Sequence, residues 1–225
     1  MRPAGPTPER PDSPPKGQTT SGDASSARRT PAGRTASANR YVLFVGIVAL
    51  GLVADLATKH LAFARLGPPS RHVEWVWPGV LGFQTSLNEG ALFGVGQGLS
   101  MLFAALSLVA IAGIVGWLFV AGGAQSRWLC AALGCVSVGV LGNLYDRLGL
   151  HGLRWTGEDG VHAAGQPVHA VRDWILVMIG PYPWPNFNLA DAMLVCGAAL
   201  LAWHAVRGTS DGATQAAPAD VGSAT

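Results

Sequence analysis

Two carboxylates, Asp173 and Asp191, stand where neither a soluble core nor a lipid-facing helix readily accepts one. Asp173 interrupts an apolar run that continues over 174–179, and Asp191 lies inside a second apolar segment, 187–205, long enough to cross a membrane. An ionisable side chain in such a segment is costly, which makes it a functional-site hypothesis. The alternative is a carboxylate paired with Lys59 or Arg147 that only holds a helix bundle together. Two aspartates brought close cannot both ionise: one keeps a proton while the other, as a base, activates water. Such a pair can hydrolyse an amide without a metal or a covalent intermediate. Asn143 and Asn188 would supply side-chain amides able to orient the acids or a substrate carbonyl.

No nucleophile constellation competes. There is no Gly-x-Ser-x-Gly, no His-Glu-x-x-His and no Gly-rich phosphate loop with Lys. His151, His162 and His169 share a segment with Glu158 and Asp159, but their spacing fits no common zinc pattern, so a solvated loop is expected and no metal or cofactor. The three cysteines, Cys130, Cys135 and Cys196, fall in apolar segments without a Cys-x-x-Cys pair and read as buried, inert thiols rather than a disulfide framework. A net charge of +2, with no basic patch carrying interleaved aromatics, gives no reason to expect nucleic acid as a partner.

The elements that must position these groups follow from composition. Charged residues are only 12% of the chain, about half the usual fraction, while the mean hydropathy is positive. Residues 1–40 are rich in Pro, Ser, Thr, Gly and Arg, lack apolar periodicity and read as a disordered tail rather than a signal peptide; 208–225 read as a second tail. Between them, 41–207 form one domain with four candidate spans. The first, 41–64, has an apolar part ending at Ala54 that is too short at about 1.5 Å per residue for a core about 30 Å thick. The helix must therefore continue through Asp55 and Thr58 to Lys59, which can snorkel to the interface. The others are 99–120, 128–145 and 187–205, a bundle that is all-α in its membrane part. Segment 67–98 is broken by Pro and Gly, with alternation over 72–77 and 82–87 that predicts a small sheet or hairpin. Segment 148–185 reads as a long loop.

Four alternating spans bring the ends of the first and third and the starts of the second and fourth to one side. Asp55, Thr58, Lys59, Asn88, Asn143, Asp146, Arg147, Asp173, Asn188 and Asp191 all map there, whereas the opposite ends carry almost only arginine. Such a gathering from separate segments looks like one site. Arg28, Arg29, Arg34, Arg40, Arg127 and Arg207 favour cytoplasmic termini under the positive-inside rule, putting that site near the outer leaflet and the sheet outside the cytoplasm. Asp55 and Lys59 are expected to join Asp146 and Arg147 in an ion-pair network between the first and third helices.

Five segments then carry a resemblance. Asp55-Leu56-Ala57-Thr58-Lys59, Asn88-Glu89-Gly90-Ala91-Leu92-Phe93-Gly94, Gly142-Asn143-Leu144-Tyr145-Asp146-Arg147, Val171-Arg172-Asp173-Trp174 and Phe187-Asn188-Leu189-Ala190-Asp191 resemble, in order, the motifs of bacterial lipoprotein signal peptidase (signal peptidase II) over about 41–206. The resemblance implies a four-helix membrane aspartic peptidase with cytoplasmic termini. Its substrates are prolipoproteins, cleaved just before a diacylglyceryl-modified cysteine. It implies Asp173 and Asp191 as the catalytic dyad. Asn143, Asp146, Arg147 and Asn188 would support the dyad and contact the substrate backbone, and Asn88 and Gly90 would belong to a substrate-facing loop. The sequence departs from the pattern at Val138-Gly139-Val140, at His169 and Trp174, and in a longer stretch between Arg147 and Asp173. That stretch, 151–168, reads either as a flap bordering the site or as a tolerated surface insertion.

A transporter relaying protons through intramembrane acids is the rival reading, but it calls for inverted repeats or acids strung through the bilayer depth. Here the halves are dissimilar and the acids gather at one face. A scaffold without catalysis would need neither Asp173 nor Asp191.

Overall fold

Apolar helices long enough to cross a bilayer lead to a bundle only if something lets their backbones approach, because lipid tails are as apolar as leucine. In the computed structural model that something is small residues on the third helix. The structure describes Met1 and residues 38–90, 95–124 and 126–215, with side chains through residue 207. The architecture below lies within one of two compact units of the chain, Thr35–Thr225; the other, Met1–Arg34, falls outside the described residues apart from Met1.

Helix α1 runs Ala38–Leu66, α2 Ser100–Val115 continuing into a π-helical turn Gly116–Val120, α3 Arg127–Arg147 and α4 Leu189–Gln215. Four helices among the described residues are long and apolar enough to span a membrane. The central one is α3: 56% of its most apolar stretch is buried, against 11% for each of the others, and it packs on α1, α2 and α4. Two glycines allow the approach. A Cβ at Gly139 would lie 2.7 Å from Ala190 O on α4, and one at Gly142 would collide with the Asp55 carboxylate on α1. At the end away from the acids, Phe44, Leu118, Cys130 and Leu133 form an apolar cluster, and Tyr41 stacks on Phe119 at 4.8 Å.

A four-stranded antiparallel sheet, ordered β1-β2-β3-β4, sits at the other end: Glu74–Trp77, Leu81–Asn88, Val171–Ile179 and Tyr182–Pro183. The first strand falls in, and the second extends by a residue beyond each end of, the two stretches whose alternation predicts them. The third and fourth correct the expectation of a long loop over 148–185. Val171 to Ile179 is nearly continuously apolar apart from Arg172 and Asp173, and its ladder to β2 satisfies the backbone groups that an apolar loop would strand. The alternation signal is weak because burial runs without a break over 171–173.

The fourth helix continues to Gln215, past Arg207 and into the expected second tail. Its remainder, 216–225, and 2–37 of the first tail lie outside the described residues. The cysteines are all free, but only Cys130 is buried; Cys196 is exposed on α4, since that helix turns much of its circumference outward.

Candidate active site

Each acid is placed by ordinary secondary-structure physics. Period-2 alternation on β3 turns Val171 and Asp173 to one side and Arg172 to the other. Asp173 pairs in register with Ser86, and Val171 with Asn88, and all four line a cleft of about 450 Å³. Asp191 is set by the start of α4. Asn188 precedes the first helical residue, and its Oδ1 accepts from Asp191 N (3.0 Å) while Asp191 Oδ2 accepts from Asn188 N (3.2 Å). This reciprocal pair is a capping box, satisfying donors a helix end leaves orphaned. Asp55 Oδ1 takes a third donor, Ala190 N, at 2.9 Å.

Two asparagines connect the acids. Asn188 Nδ2 donates to Asp173 Oδ1 (2.7 Å) and to Asn143 Oδ1 (3.1 Å), and Asn143 Nδ2 donates to Asp191 Oδ1 (2.7 Å). Both aspartates line the cleft, with Asn88, Gly90, Asn143 and Arg147. Asp173 is 2% exposed, and burial first, then the neighbouring Asp191 charge, pushes its carboxyl well above the usual carboxylate range. One acid is thus biased toward its neutral form next to another that accepts two hydrogen bonds, a pairing able to give and take a proton around one water molecule.

Behind the asparagines lies a buried charge cluster. Lys59 Nζ is 2.8 Å from Asp55 Oδ2 and 3.1 Å from Asp146 Oδ2, and it donates to Asn143 Oδ1 (3.1 Å) and Gly142 O (3.4 Å). Lys59, Asp55 and Asp146 are all 0% exposed, which corrects the expectation that Lys59 snorkels outward. Two carboxylates and an amide inside the bundle solvate its ammonium better than the short reach to the interface would. The expected network between α1 and α3 exists but excludes Arg147. Asp146 is instead taken by Arg172, whose Nε and NH2 lie 3.0 and 2.8 Å from Oδ1. Adjacent residues on a helix point about 100° apart, so Arg147 faces the cleft, donates to Gly90 O (3.0 Å) and lies over the Phe103 ring at 5.4 Å. Its Nε has no hydrogen-bond partner among the described residues.

Thr58 alone of the ten gathered residues stays apart. Its hydroxyl donates back to Ala54 O and Asp55 O on its own helix and borders a separate apolar groove. Asn88 and Gly90 form the cleft rim, tied by Gly90 N donating to Asn88 Oδ1 (3.0 Å); the rest of that motif, 91–94, lies outside the described residues. Residue reasoning missed Arg172, Gln97 and Asn186. Asn186 lines the cleft and donates to Gln84 O at 2.8 Å, and Gln97 approaches Asn88 Oδ1 at 3.5 Å. An Asn-x-x-Asp spacing before an apolar run would have announced the cap at 188–191. Nothing local announces Arg172, because its partner is on another segment. The three histidines of the long segment have separate partners: His151 accepts from Leu153 N, His169 contacts Arg147 O, and His162 meets Asp159 and Glu89.

Known proteins resemble both the sequence and the fold. The family model for signal peptidase (SPase) II matches residues 47–207. A lipoprotein signal peptidase of Rhodopirellula baltica is 45% identical over 166 residues, 73% of this chain and 71% of that protein. One from Rhodococcus jostii is 35% identical over 162 residues, 72% of this chain and 71% of that one. A solved bacterial membrane enzyme superposes with a TM-score of 0.60 at 20% identity, covering 80% of this chain and 94% of its own, and so supports the fold alone. With its helices, sheet and matched length taken together, this multi-pass membrane protein belongs to the signal peptidase II family, a family of bacterial peptidases.

Proposed function

We propose that the chain is an aspartic endopeptidase that removes signal peptides from diacylglyceryl-modified prolipoproteins, cutting before the lipidated cysteine, with Asp173 and Asp191 as the dyad. The observation that carries this reading is that both carboxylates line one cleft and are joined through Asn143 and Asn188. The relatives named lipoprotein signal peptidase supply the substrate class. The cleft continues along Val140, Leu194 and Val195 on two spanning helices, an apolar wall suited to acyl chains.

In this mechanism Asp191 takes a proton from a water molecule while Asp173, held neutral by burial, gives its own to the scissile carbonyl oxygen. The water oxygen bonds to the carbonyl carbon and yields a neutral tetrahedral diol. Asp191 then passes its proton to the amide nitrogen, a diol hydroxyl returns one to Asp173, and the C–N bond breaks to leave a carboxylic acid and a free amine. Asn143 and Asn188 hold the acids in register, and Arg147 and the Asn88–Gly90 rim face the substrate backbone. Asp55, Lys59 and Asp146 support from behind. The arginine distribution favours cytoplasmic termini and a site near the outer leaflet, with the bilayer as the route by which substrate arrives.

The test is incubation of the full chain in liposomes with a diacylglyceryl-modified prolipoprotein, read by mass spectrometry. Loss of one signal-peptide mass, absent when the cysteine is unmodified, is the expected result. Cleavage at another bond, or none, overturns the assignment.

A further inference from the structure

The long segment 151–168 folds back on itself. Arg154 bridges Pro167, Trp155 N donates to Gln166 O (2.9 Å), and Arg154 NH1 donates to Gly165 O (2.7 Å). At its tip Asp159 Oδ1 accepts from the backbone N–H of Val161 (3.1 Å) and His162 (3.0 Å). Asp159 Oδ2 lies 2.7 Å from His162 Nδ1, and Trp155 stacks on the imidazole at 4.0 Å with a 5° interplanar angle. The loop therefore fixes the ring at an edge and on a face. The other ring nitrogen, Nε2, reaches Glu89 Oε1 at 3.2 Å. Glu89 sits between Asn88 and Gly90, which line the cleft and are tied to each other and, through Gly90 O, to Arg147. One contact from a loop remote in sequence thus bears on the rim of the candidate site.

We propose that His162 is a positioning residue: as an imidazolium it pins Glu89 and with it the Asn88–Gly90 rim, and it releases that rim on losing its proton. The chemistry is that of a ring with two nitrogens. The cation donates from both, to Asp159 and to Glu89. The neutral ring has one N–H, and the shorter bond to Asp159 keeps it on Nδ1, so Nε2 then presents a lone pair to the Glu89 carboxylate. Attraction becomes repulsion at the rim while the loop's own bond persists.

The charged groups bearing on His162 are Asp159 from its own loop and Glu89 from the rim, and both favour the cation. The His162 hydrogen bonds in turn draw the Asp159 carboxyl down to about 2. A raised histidine pKa means that the pin is fully made below the ordinary value near 6.5 and is lost as pH rises through the elevated one. Lower pH holds the rim, and higher pH frees it.

This inference rests on the peptidase reading for its kinetic consequence but not for its titration, so the two are tested apart. The full chain, labelled with 15N-histidine in detergent, is titrated from about pH 5 to 9, spanning the ordinary histidine range. The His162 signal is identified by its loss in His162→Gln. It should titrate above the ordinary value in the native chain and shift down in Glu89→Gln. In parallel, KM and kcat for a lipid-modified prolipoprotein are followed over the same range. Native KM should rise by about five-fold through the His162 transition with kcat within about two-fold, the size of one exposed ion pair expressed in substrate binding. His162→Gln should show the high KM at every pH. An ordinary His162 titration, or one unchanged by Glu89→Gln, overturns the pin. A His162→Gln chain that keeps the native pH dependence of KM overturns its link to the site. Absence of cleavage by the native chain would sink the peptidase reading and leave the titration to judge the contact.

Discussion

Arg172 sets Nε and NH2 on Asp146 Oδ1, at 3.0 and 2.8 Å, and its own backbone N–H on Asp146 Oδ2, at 3.0 Å. A single acid at the end of α3 thus clamps β3 one residue before Asp173, with Asp146 fully buried and Arg172 5% exposed. Removing one partner of a buried pair leaves the other uncompensated, at a cost of about 3–5 kcal/mol. Asp146→Asn should therefore lower the melting temperature in detergent. Per folded molecule, single-turnover cleavage should fall by about ten-fold rather than vanish, because Asp173 is displaced and not replaced. A native melting temperature would count against the clamp.

Lys59 is the counter-ion of Asp55 and shares Asp146 with Arg172, with all four side chains buried. Lys59→Met would leave Asp55 without its counter-ion and Asp146 with Arg172 alone, and its melting temperature should fall further than that of Arg65→Met, at an exposed ion pair, while activity per folded molecule falls less. Combined with Asp146→Asn, the loss should be smaller than the sum of the single losses, since the second change removes the excess negative charge that the first leaves. Strict additivity would mean that the two residues do not share a network.

Asn188 holds Asp173 and caps α4 at once. Asn188→Ala should cost about 1 kcal/mol of stability from the lost cap. Its kcat should drop by about a hundred-fold, because the bridge between the acids is gone. If only stability changes, the bridge has no part in turnover.

The proposed dyad has its own signature. Asp173→Asn and Asp191→Asn are nearly isosteric, so the bundle should assemble and substrate should still bind. Turnover should be lost in both, since an amide can neither take water's proton nor pass one on. Measurable single-turnover cleavage by either variant, at matched folded concentration, removes the mechanism.

Asp173 also predicts a pH dependence of stability. Its folded-state carboxyl is raised by burial and by Asp191, so the native state binds the proton more tightly than the unfolded chain. The stability linked to that proton is fully present below the unfolded value near 3.9 and is lost as pH rises through the folded one. Asp173→Asn cannot lose it. The native melting temperature should decline relative to that of Asp173→Asn from acid toward alkaline pH, and the cleavage rate should fall on the same alkaline side. Parallel melting curves across pH would show that Asp173 has no raised pKa.

The amino-acid sequence by itself determined the four spans, because length and apolar content are local properties, and it gathered the acids, because alternating spans leave few places for their ends. Asp55, Lys59, Asn143, Asp146, Asn188 and Asp191 could be placed at one end of the bundle on that ground alone. Which of them touch was decided only by tertiary packing. Arg147 stands beside Asp146 in the chain yet turns to Gly90, while Arg172, on another segment, takes the acid. Lys59 lies inward because Asp55 and Asp146 converge on it, and that convergence needs α1 against α3 at a distance Gly142 permits. The third strand was hidden for a related reason: its burial over 171–173 does not alternate, and its identity rests on a hydrogen-bonded partner, β2, remote in sequence. Local pattern records what each segment can be, and the choice of partner is made by burial that no single segment encodes.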